Sequence, residues 1–569
     1  MLKRLSSISF AIATIAVGCA SPQPVAPGPD GSRADAPRPA AFVRIAAAVN
    51  SNPPALNNMI GAASGSAPGM EALAIMVNSP LTIVDHEGIL RPILAEATPT
   101  IENGLWKLMA DGTMEISWKI REGAQWHDGT PFTASDVVFT QRLQEDRDLA
   151  VFGHSSYRSI EQVDAPDPRT VVTKWRRPYL YASTAFGYEG DRSLVPVPKH
   201  LLEKPYLDDK TNFLNLTYWT TEFVGTGPYR LKEWEAGSHA IFQANDRFVL
   251  GRPKIDEIEV KFILDQSTII ANFLAGTVDV YLGRALAFDQ GRQLLERMPS
   301  LKSDLAPIGA VTAYPQFLNP SPPIMANVQF RRALLHATDR QAMVDTLMDG
   351  QTSIAHTFIN PKESDYKDIE PYIARYDYDP RRAAQMIEGL GYVKGLDGFY
   401  RDGAGQRLTV EARESRGSQA TLVIADQWQR AGVGADVVVI PPQRNEDLEY
   451  RATFPGFEVV RRGNFRWDLK RPLSSSEAPT AESNWNGGNR GRYQSLELDA
   501  LLDRHETLLS TVERTPVLGQ IVRHVSENAV LLGMFYDLEP TVYSERLQNV
   551  HGKYERTTQA WNIHQWEVK

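Results

Sequence analysis

Two groups of arginines carry a residue type that suits the binding of an acidic group. Arg413 and Arg416 precede a predicted helix. Arg461, Arg462 and Arg466 lie in the segment GFEVVRRGNFRWDLKRPL. A planar guanidinium can donate two parallel hydrogen bonds to a carboxylate or a phosphate. If the second group faces a binding site, it forms a local positive pocket that favours an anionic ligand. The alternative is that these arginines face solvent.

The sequence carries none of the usual catalytic or metal-binding motifs. It has no GxSxG, HExxH, GxxxxGK[ST] or CxxC, and no GxGxxG with an acidic residue at the required distance. The histidines are scattered, and His127, in a turn, is expected to act as a hydrogen-bonding residue rather than as a metal ligand. We therefore predict no catalytic residue, metal or cofactor. An exported hydrolase is the rival class.

Length, composition and net charge limit the classes of protein to which the chain can belong. A chain of 569 residues is too long for one hydrophobic core, so two or three lobes are expected. The composition, 42% hydrophobic and 23% charged, is that of a soluble globular protein. The net charge is −9 and no basic block stands out, which argues against nucleic acid as a partner.

The amino-terminal residues are typical of an exported protein. Lys3 and Arg4 precede an apolar stretch, so residues 1–18 are predicted to be a signal peptide. Cys19, the single cysteine, follows Ala-Val-Gly in a sequence that resembles the bacterial lipobox, in which the cysteine is lipidated. The alternative is cleavage at or beyond Ala20 with an incidental cysteine. Because the chain has a single cysteine, it cannot form an intrachain disulfide.

Residues 19–41 contain six prolines and no apolar periodicity. Such a segment cannot bury enough surface to fold, and its prolines make it a stiff spacer. We expect a lipoprotein anchored on the periplasmic side of a bacterial envelope, or a soluble periplasmic protein if Cys19 is not lipidated.

The folded body alternates predicted strands and helices. Met114, Ile116 and Trp118 alternate with polar residues, which predicts a half-buried strand. A turn follows, and Thr133 with Asp136 predicts a capped helix start. Further strands are predicted at residues 257–262, 278–282 and 437–440. Further helices are predicted at 265–276, at 422–431, as a pair within 327–350, and beginning at Asp379-Pro380. The turn GTGPY is interpreted as structural.

These blocks resemble one protein family in wording and order. Three segments are similar to segments of the family 5 extracytoplasmic solute-binding proteins. They are WHDGTPFTASDVVF, which follows a strand, then FVGTGPYRLKEWEAG, and finally NVQFRRALLHATDRQAMVDTLMDGQ. That family contains the dipeptide-, oligopeptide-, nickel- and opine-binding receptors of ABC importers. The resemblance implies an α/β, two-lobed periplasmic-binding-protein-like fold (class II, large type with an extra subdomain), with the ligand cleft between the lobes. It places lobe I at residues 42–306 plus 525–569 and lobe II at 307–524.

The resemblance also implies site residues. Peptide-binding relatives hold the ligand carboxylate with an arginine before a lobe II helix, for which Arg413 and Arg416 are candidates. They hold the α-amino group with an aspartate whose expected place falls near Arg466 or Trp467, and Asp468 is the carboxylate at hand. Either Asp468 has shifted and still binds an amine, or the site has become basic through the Arg461–Arg466 loop.

Aromatic residues complete the predicted site. Trp467, Trp485 and Tyr314 are candidates for ligand contact, and the alternative for each is packing within a lobe.

The predicted function is that of a solute-binding receptor of an ABC importer, with a peptide as the leading ligand. An anionic solute such as an opine or a modified sugar is the alternative. A sensory or chaperone-like receptor without transport is a further one. The expected partners are the permease with its ATPase subunits, and a monomer is expected.

Overall fold

The computed structural model describes residues 42–60, 68–153, 159–188, 194–283, 286–415, 418–444, 447–463, 468–553 and 557–569. The predicted signal peptide, Cys19 and the proline-rich spacer lie outside these residues, as do Arg416, Arg466 and Trp467.

The strands, in chain order, are β1 (Arg44–Val49), β2 (Thr82–Val84), β3 (Leu90–Pro92), β4 (Trp106–Leu108), β5 (Met114–Lys119), β6 (Ile160–Asp167), β7 (Thr170–Trp175), β8 (Tyr229–Glu235), β9 (His239–Ala244), β10 (Glu257–Phe262), β11 (Val280–Leu282), β12 (Leu301–Pro315), β13 (Val393–Lys394), β14 (Tyr400–Arg401), β15 (Thr409–Glu414), β16 (Gly434–Val439), β17 (Phe457–Arg462), β18 (Leu532–Ser544), β19 (Leu547–Gln548) and β20 (Glu567–Val568).

The α-helices are α1 (Met70–Val77), α2 (Ala134–Glu145), α3 (Lys199–Asp208), α4 (Gln266–Leu274), α5 (Phe288–Arg297), α6 (Val328–Ala337), α7 (Arg340–Leu347), α8 (Tyr366–Ile369), α9 (Pro380–Gly389), α10 (Gln419–Ala431), α11 (Leu448–Ala452), α12 (Lys470–Leu473), α13 (Leu496–Thr507) and α14 (Thr511–Glu527). No helix among the described residues is long and apolar enough to span a membrane.

One large sheet runs through the protein in the order β16-β15-β17-β12-β18-β11-β1-β10-β9-β8. The long strands β12 and β18 pair antiparallel at its centre, with a register shift between Pro307 and Ala310. The strands from β11 to β8 extend the half of the pair that includes Leu301, and β17, β15 and β16 extend the other half. The architecture is therefore the predicted α/β, two-lobed fold, in which β12 and β18 cross from one lobe to the other. The residue boundaries given for the lobes stay predictions.

Separate hydrophobic cores support the lobes. The core of lobe I joins the first strand to the last residues of the chain: Ile45, Val49, Leu547, Ile563 and Trp566. The core of lobe II contains Phe330, Leu334, Ile424, Trp428 and Phe457. A third core covers the small sheet β4-β5-β7-β6 and contains Trp118, Trp126 and Phe186. This third unit corresponds to the predicted extra subdomain.

The strand and helix at residues 113–136 are confirmed. Met114, Ile116 and Trp118 are buried along β5, and the residues between them are half-buried. The carboxylate of Asp136 accepts a hydrogen bond from the backbone N–H of Thr133 at 2.8 Å, which caps α2. The same carboxylate accepts a second one from the backbone N–H of Lys199 at 3.0 Å. Asp136 thus ties the start of α2 to the start of α3.

Two predicted element starts are displaced along the chain. Helix α10 begins at Gln419 rather than at 422, because the Ser418 side chain accepts the N–H of Thr421 and caps the helix earlier. The strand predicted at 437–440 is β16, which begins at Gly434. The predicted caps Asp339 of α7 and Asp379 of α9 both accept N–H groups of their helices, as expected.

The GTGPY turn packs directly on the end of α1. A Cβ at Gly225 would lie 1.9 Å from the carbonyl oxygen of Val77, and one at Gly227 would lie 2.4 Å from the Val77 carbonyl carbon. Only glycine permits such an approach of two backbones. The structural interpretation of this turn is confirmed.

The carboxyl end of α14 is held by basic side chains of α6. Arg331 donates to the carbonyl oxygens of Asn528 at 2.7 Å and Ala529 at 3.0 Å, and Arg332 donates to that of Glu527 at 2.8 Å. Burial lowers the pKa of Arg331 to about 10, so it remains a cation at neutral pH. These contacts satisfy the last helix carbonyls. They fasten the segment that leads into β18.

His127 bonds to the GTGPY turn through both ring nitrogens. Its Nδ1 accepts the N–H of Gly225 at 3.2 Å, so its Nε2–H donates to the carbonyl of Gly227 at 3.1 Å. This arrangement requires the neutral ring. Burial lowers its pKa to about 4 from 6.5. The expected hydrogen-bonding role is thus the one that the structure shows.

Because the folded-state pKa of His127 lies below its unfolded value, its contribution to stability is present above pH 6.5 and is lost as the pH falls towards 4. We expect the free energy of unfolding to drop between pH 7 and pH 5 by about 2 kcal/mol more in the wild type than in His127→Asn, which keeps an acceptor but does not titrate. Urea denaturation at both pH values measures the difference. Equal losses in the two proteins would show that His127 does not carry this pH dependence.

Candidate functional site

The strand register places a cleft at the crossing between the lobes. Strand β17 runs antiparallel to β12 and ends with Arg462 opposite Ala310, beside the register shift. Strand β11 runs antiparallel to β18 towards the same shift, and Val49 at the end of β1 pairs with Leu282 at the end of β11. The carboxyl ends of these lobe I and lobe II strands therefore approach the crossing from opposite sides. Open α/β sheets bind ligands outside such strand ends.

Beside β17 lies a group of basic side chains, the guanidinium cluster, formed by Arg451, Arg462 and Arg490 around Glu458 and by Arg471 near Arg462. Glu458 is 2% exposed and lies on β17. One guanidinium nitrogen of Arg490 contacts both Glu458 carboxylate oxygens. Nη2 of Arg451 lies 3.5 Å from the nearer of them. Burial alone would raise the pKa of the Glu458 carboxyl, but Arg490, Arg451 and Arg462 hold it below its usual value.

Arg462 is a half-buried cation, and among the described residues no carboxylate lies within ion-pair distance of it. It makes no hydrogen bond or ion pair with the described residues, and its guanidinium carbon lies 6.0 Å from the centre of the Tyr314 ring. Burial, reinforced by the neighbouring Arg490, lowers its pKa to about 10. The group therefore stays charged at neutral pH. A half-buried cation is costly unless a counter-charge lies close to it, so the acidic group of a ligand would stabilise Arg462 beyond what Glu458 does.

Further ion pairs lie at the crossing strand β18 and in the interior beside α1. Arg461 Nη1 lies 3.1 Å from Oδ2 of Asp537 and 3.8 Å from Oε2 of Glu539, both on β18. In the interior beside α1, Lys553 Nζ lies 3.1 Å from Oε1 of Glu71, and each side chain is 3% exposed. Burial raises the pKa of the Asp537 carboxyl, although Arg461 opposes the shift.

The structure brings some of the predicted site residues together. The Arg462 guanidinium lies over the Tyr314 ring, 6.0 Å from its centre. Arg413 of β15 lies opposite Glu458 of β17 in the strand register. Arg413 is buried, and its guanidinium donates to the carbonyl of Tyr450 and to the carboxylate of Glu411, each at 2.9 Å. Tyr314 is also buried. Ligand-binding roles for these residues stay predictions.

Asp468 and Trp485 lie in local turns. The Asp468 carboxylate accepts the backbone N–H of Arg471 at 3.1 Å and caps the short helix α12. Trp485 is half-buried with φ +59°, and its N–H donates to the carbonyl of Thr480 at 2.7 Å. Their ligand-binding roles also stay predictions. Arg416, Arg466 and Trp467 lie outside the described residues.

Several charged residues of the site were missed by the sequence interpretation. Glu458 carried a usable signal, because a carboxylate inside the apolar strand FEVV requires a cation nearby. Its partner Arg490 and the pair of Glu71 with Lys553 come from distant segments, and spacing along the chain could not have joined them. Among the described residues, no group of three or more His, Cys, Asp or Glu side chains could hold a metal ion.

We expect Arg490→Met to lower the free energy of unfolding by about 3 kcal/mol, because it removes the cation in closest contact with the buried Glu458 carboxylate and leaves only the more distant Arg451 and Arg462. Urea denaturation at pH 7 measures the change. The exposed Arg430, which pairs with Asp426 at 2.7 Å on α10, provides the control, and Arg430→Met should cost less than about 0.5 kcal/mol.

The double variant Glu458→Gln with Arg490→Met should recover part of the lost stability, since it removes the unpaired charge. A single Arg490→Met that is as stable as the Arg430→Met control would contradict the role given to this ion pair.

Comparison with known proteins places the chain in a family. It is 24% identical over 507 residues to the oligopeptide-binding protein AppA of Bacillus subtilis, covering 86% of each chain. Its fold is similar to that of NikZ from Campylobacter jejuni in complex with Ni(L-His), with a TM-score of 0.71 and 21% identity over 92% of this chain and 99% of that one. It is also similar to NikA from Brucella suis in complex with Fe(III)-EDTA, with a TM-score of 0.72 and 18% identity over 92% and 100%.

The profile described as "Bacterial extracellular solute-binding proteins, family 5 Middle" matches residues 90–481, more than half of the chain. The match spans the small subdomain with β5 and α2 and most of lobe II. Family profile, two-lobed fold and strand-end cleft agree with the resemblance seen in the sequence. This chain belongs to the bacterial extracellular solute-binding proteins of family 5.

Proposed function

We propose that this protein captures a solute with an acidic group in the cleft between its lobes, with Arg462 as the residue that binds that group. As a member of family 5, the protein is an extracytoplasmic solute-binding receptor of an ABC importer. The half-buried Arg462 at the carboxyl end of β17 carries the proposal, because it is a charged donor without a carboxylate partner among the described residues. A bound carboxylate or phosphate would supply the missing partner.

Two ligand classes fit this site. The first is a peptide, whose terminal carboxylate would meet Arg462; AppA, with its name as an oligopeptide-binding protein, supports this class. The second is a small anionic solute, such as an opine-like compound or a modified sugar. The solved relatives with Ni(L-His) and Fe(III)-EDTA show that the fold accommodates ligands other than peptides. The peptide remains the leading class because of the sequence relatives.

The remaining assignments are proposals supported by membership in a transport family and by the amino-terminal sequence. The protein binds solute without transforming it, and it presents the closed form to a membrane permease whose ATPase subunits drive uptake. Closure of two lobes on a ligand is a common switch for such a hinge. It acts as a monomer held to the membrane through lipidated Cys19 and the spacer of residues 19–41. A sensory or chaperone-like receptor without transport is the alternative, and a neighbouring permease and ATPase operon would argue against it.

Native mass spectrometry of the protein, purified gently from its own envelope, tests the proposed ligand site. We expect the wild type to carry a ligand, and Arg462→Glu to lose it or to bind it at least tenfold more weakly, because the charge reversal repels the acidic group. Arg430→Glu is the matched control, since Arg430 is exposed on the outer face of α10.

The mass of the ligand separates the two classes. A ladder of adducts spaced by amino-acid residue masses identifies a peptide receptor, and one sharp adduct of another composition identifies a dedicated solute. Retention of the ligand by Arg462→Glu at the wild-type level would reject Arg462 as the binding residue.

Fractionation tests the membrane anchor. We expect wild-type protein in the membrane fraction and Cys19→Ser in the soluble fraction or as an uncleaved precursor, because serine cannot form the thioether to lipid. Mass spectrometry of the mature amino terminus should show acyl groups on Cys19. Wild-type protein cut beyond Ala20 and free of lipid would contradict the anchor.

A further inference from the structure

We infer that the small subdomain and lobe II form a clasp that holds the cleft closed, with Arg177 and Leu180 on the subdomain and Glu506 and Leu509 on lobe II. The inference takes from the proposed function only the closure of the two lobes. It does not depend on which group Arg462 binds.

A backbone hydrogen bond is the first contact of the clasp. The N–H of Leu180, shortly after β7, donates to the carbonyl oxygen of Glu506 at 3.1 Å. Glu506 lies in the last turn of α13, where carbonyl oxygens have no partner within the helix. Leu180 supplies that partner from the subdomain. Arg177 adds a weak ion pair, with its Nη2 3.5 Å from Oε2 of Glu506 at the negative end of the helix dipole.

An apolar contact is the second contact of the clasp. Leu509, in the linker between α13 and α14, packs against the hydrophobic core of the subdomain, which contains Trp175. Its neighbour Leu508 packs against a core of lobe II that includes residues of both helices. Arg514 of α14 donates to the carbonyl oxygens of Leu508 at 3.3 Å and of Leu509 at 3.0 Å, and it thereby fastens the linker to lobe II. Leu509 is therefore a lobe II residue that packs on a subdomain core.

The subdomain side of the clasp is fixed to lobe I. Trp175 stacks on Tyr179 with ring centres 5.4 Å apart, and this stacking holds the backbone just before Leu180. His127 of the subdomain bonds through both ring nitrogens to the turn that precedes β8, a strand of the large sheet in lobe I. The subdomain therefore moves with lobe I. The clasp joins it to lobe II at a place outside the crossing strands β12 and β18.

A hinge at the crossing strands cannot open while the clasp holds. Helix α5 lies at the hinge itself, because Phe288 belongs to a core of lobe II and Leu294 to a core of lobe I. Contacts close to the axis of rotation change little when the lobes separate. Opening must instead break the bond between Leu180 and Glu506 and withdraw Leu509 from the subdomain. The clasp therefore favours the closed state and slows the release of a bound solute.

Glu506 also connects the clasp to a candidate binding segment. The ammonium group of Lys470 lies 2.6 Å from Oε2 of Glu506 and 2.7 Å from Oδ1 of Asp503. Lys470 begins α12, which Asp468 caps through the N–H of Arg471. The residue that accepts the hydrogen bond of the clasp is thus held by the helix that this candidate ligand-binding carboxylate caps.

Hydrogen exchange of the Leu180 amide in the full-length protein measures how often the clasp opens. Leu509→Ala should reduce the protection of this amide at least fivefold, because the closed state loses an apolar contact. The matched control is Leu508→Ala, which truncates the adjacent leucine within lobe II and should leave the protection within twofold of the wild type. The amide of Tyr188, bonded to the carbonyl of Thr82 at 2.8 Å outside the clasp, is the internal reference.

Distances between two spin labels show whether the lobes move when the clasp opens. The labels are attached at Lys107→Cys in the subdomain and Leu496→Cys in α13, both exposed, in a Cys19→Ser background that leaves no other thiol. The parent protein should populate the label separation of the closed form. Leu509→Asp should raise the ratio of open to closed molecules at least tenfold, since it places a carboxylate against an apolar core. Ser510→Asp places the same charge at the exposed N-cap of α14 and should keep the parental distances.

Three results would overturn the inference. They are unchanged protection of the Leu180 amide in Leu509→Ala, a parent protein that populates only the longer label distance, and the parental distance distribution in Leu509→Asp. Circular dichroism checks the fold of each variant. If Leu509→Asp does not fold, the label distances are measured in Leu509→Ala, the milder change, with the same criterion.

Failure of the clasp and failure of the proposed function are distinguishable. If Arg462→Glu loses the native ligand while Leu509→Asp stays closed, the proposed function stands and the clasp falls. If Arg462→Glu keeps its ligand while Leu509→Asp opens, the proposed site is wrong and the clasp stands.

Discussion

The antiparallel pairing of β12 with β18 is the contact on which both lobes depend. These two strands form the centre of the large sheet, and each lobe adds its own strands to one half of the pair. A slip of one residue in their register would turn every side chain to the opposite face. The pairing therefore fixes more than the shape of the hinge. It also decides that Arg461 faces Asp537 while Arg462 faces the Tyr314 side of the sheet.

Local patterns predicted the elements, and they did so where the forces are local. The alternation of apolar and polar residues predicted β5, and the capping carboxylate of Asp136 predicted the start of α2. Both features depend on residues within a few positions of one another. Helix α10 begins earlier than predicted because the Ser418 side chain caps it. The periodicity of apolar residues does not indicate which residue caps a helix. The two-lobed fold came from family resemblance, since no local rule joins β1 to β18.

The candidate site was only partly predictable, and the reason is distance along the chain. Arg462 and Tyr314 were singled out from the sequence, and they are in contact. The ion pair between Glu458 and Arg490 joins residues 32 positions apart, and that between Glu71 and Lys553 joins residues 482 positions apart. Such pairs form only when the fold brings distant strand ends together. A chain with net charge −9 can thus present a basic wall, because the potential in a cleft depends on the nearest groups rather than on the total.

The core of lobe I joins the beginning of the folded body to its end. Ile45 and Val49 of β1 share one hydrophobic core with Leu547, Ile563 and Trp566. A chain that becomes available amino end first cannot complete this core until Ile563 and Trp566 are free to pack. The long-range contacts of lobe I are therefore closed late, and slow closure of non-local contacts is general for such topologies. The same packing that stabilises lobe I therefore also sets the time at which this lobe can become folded.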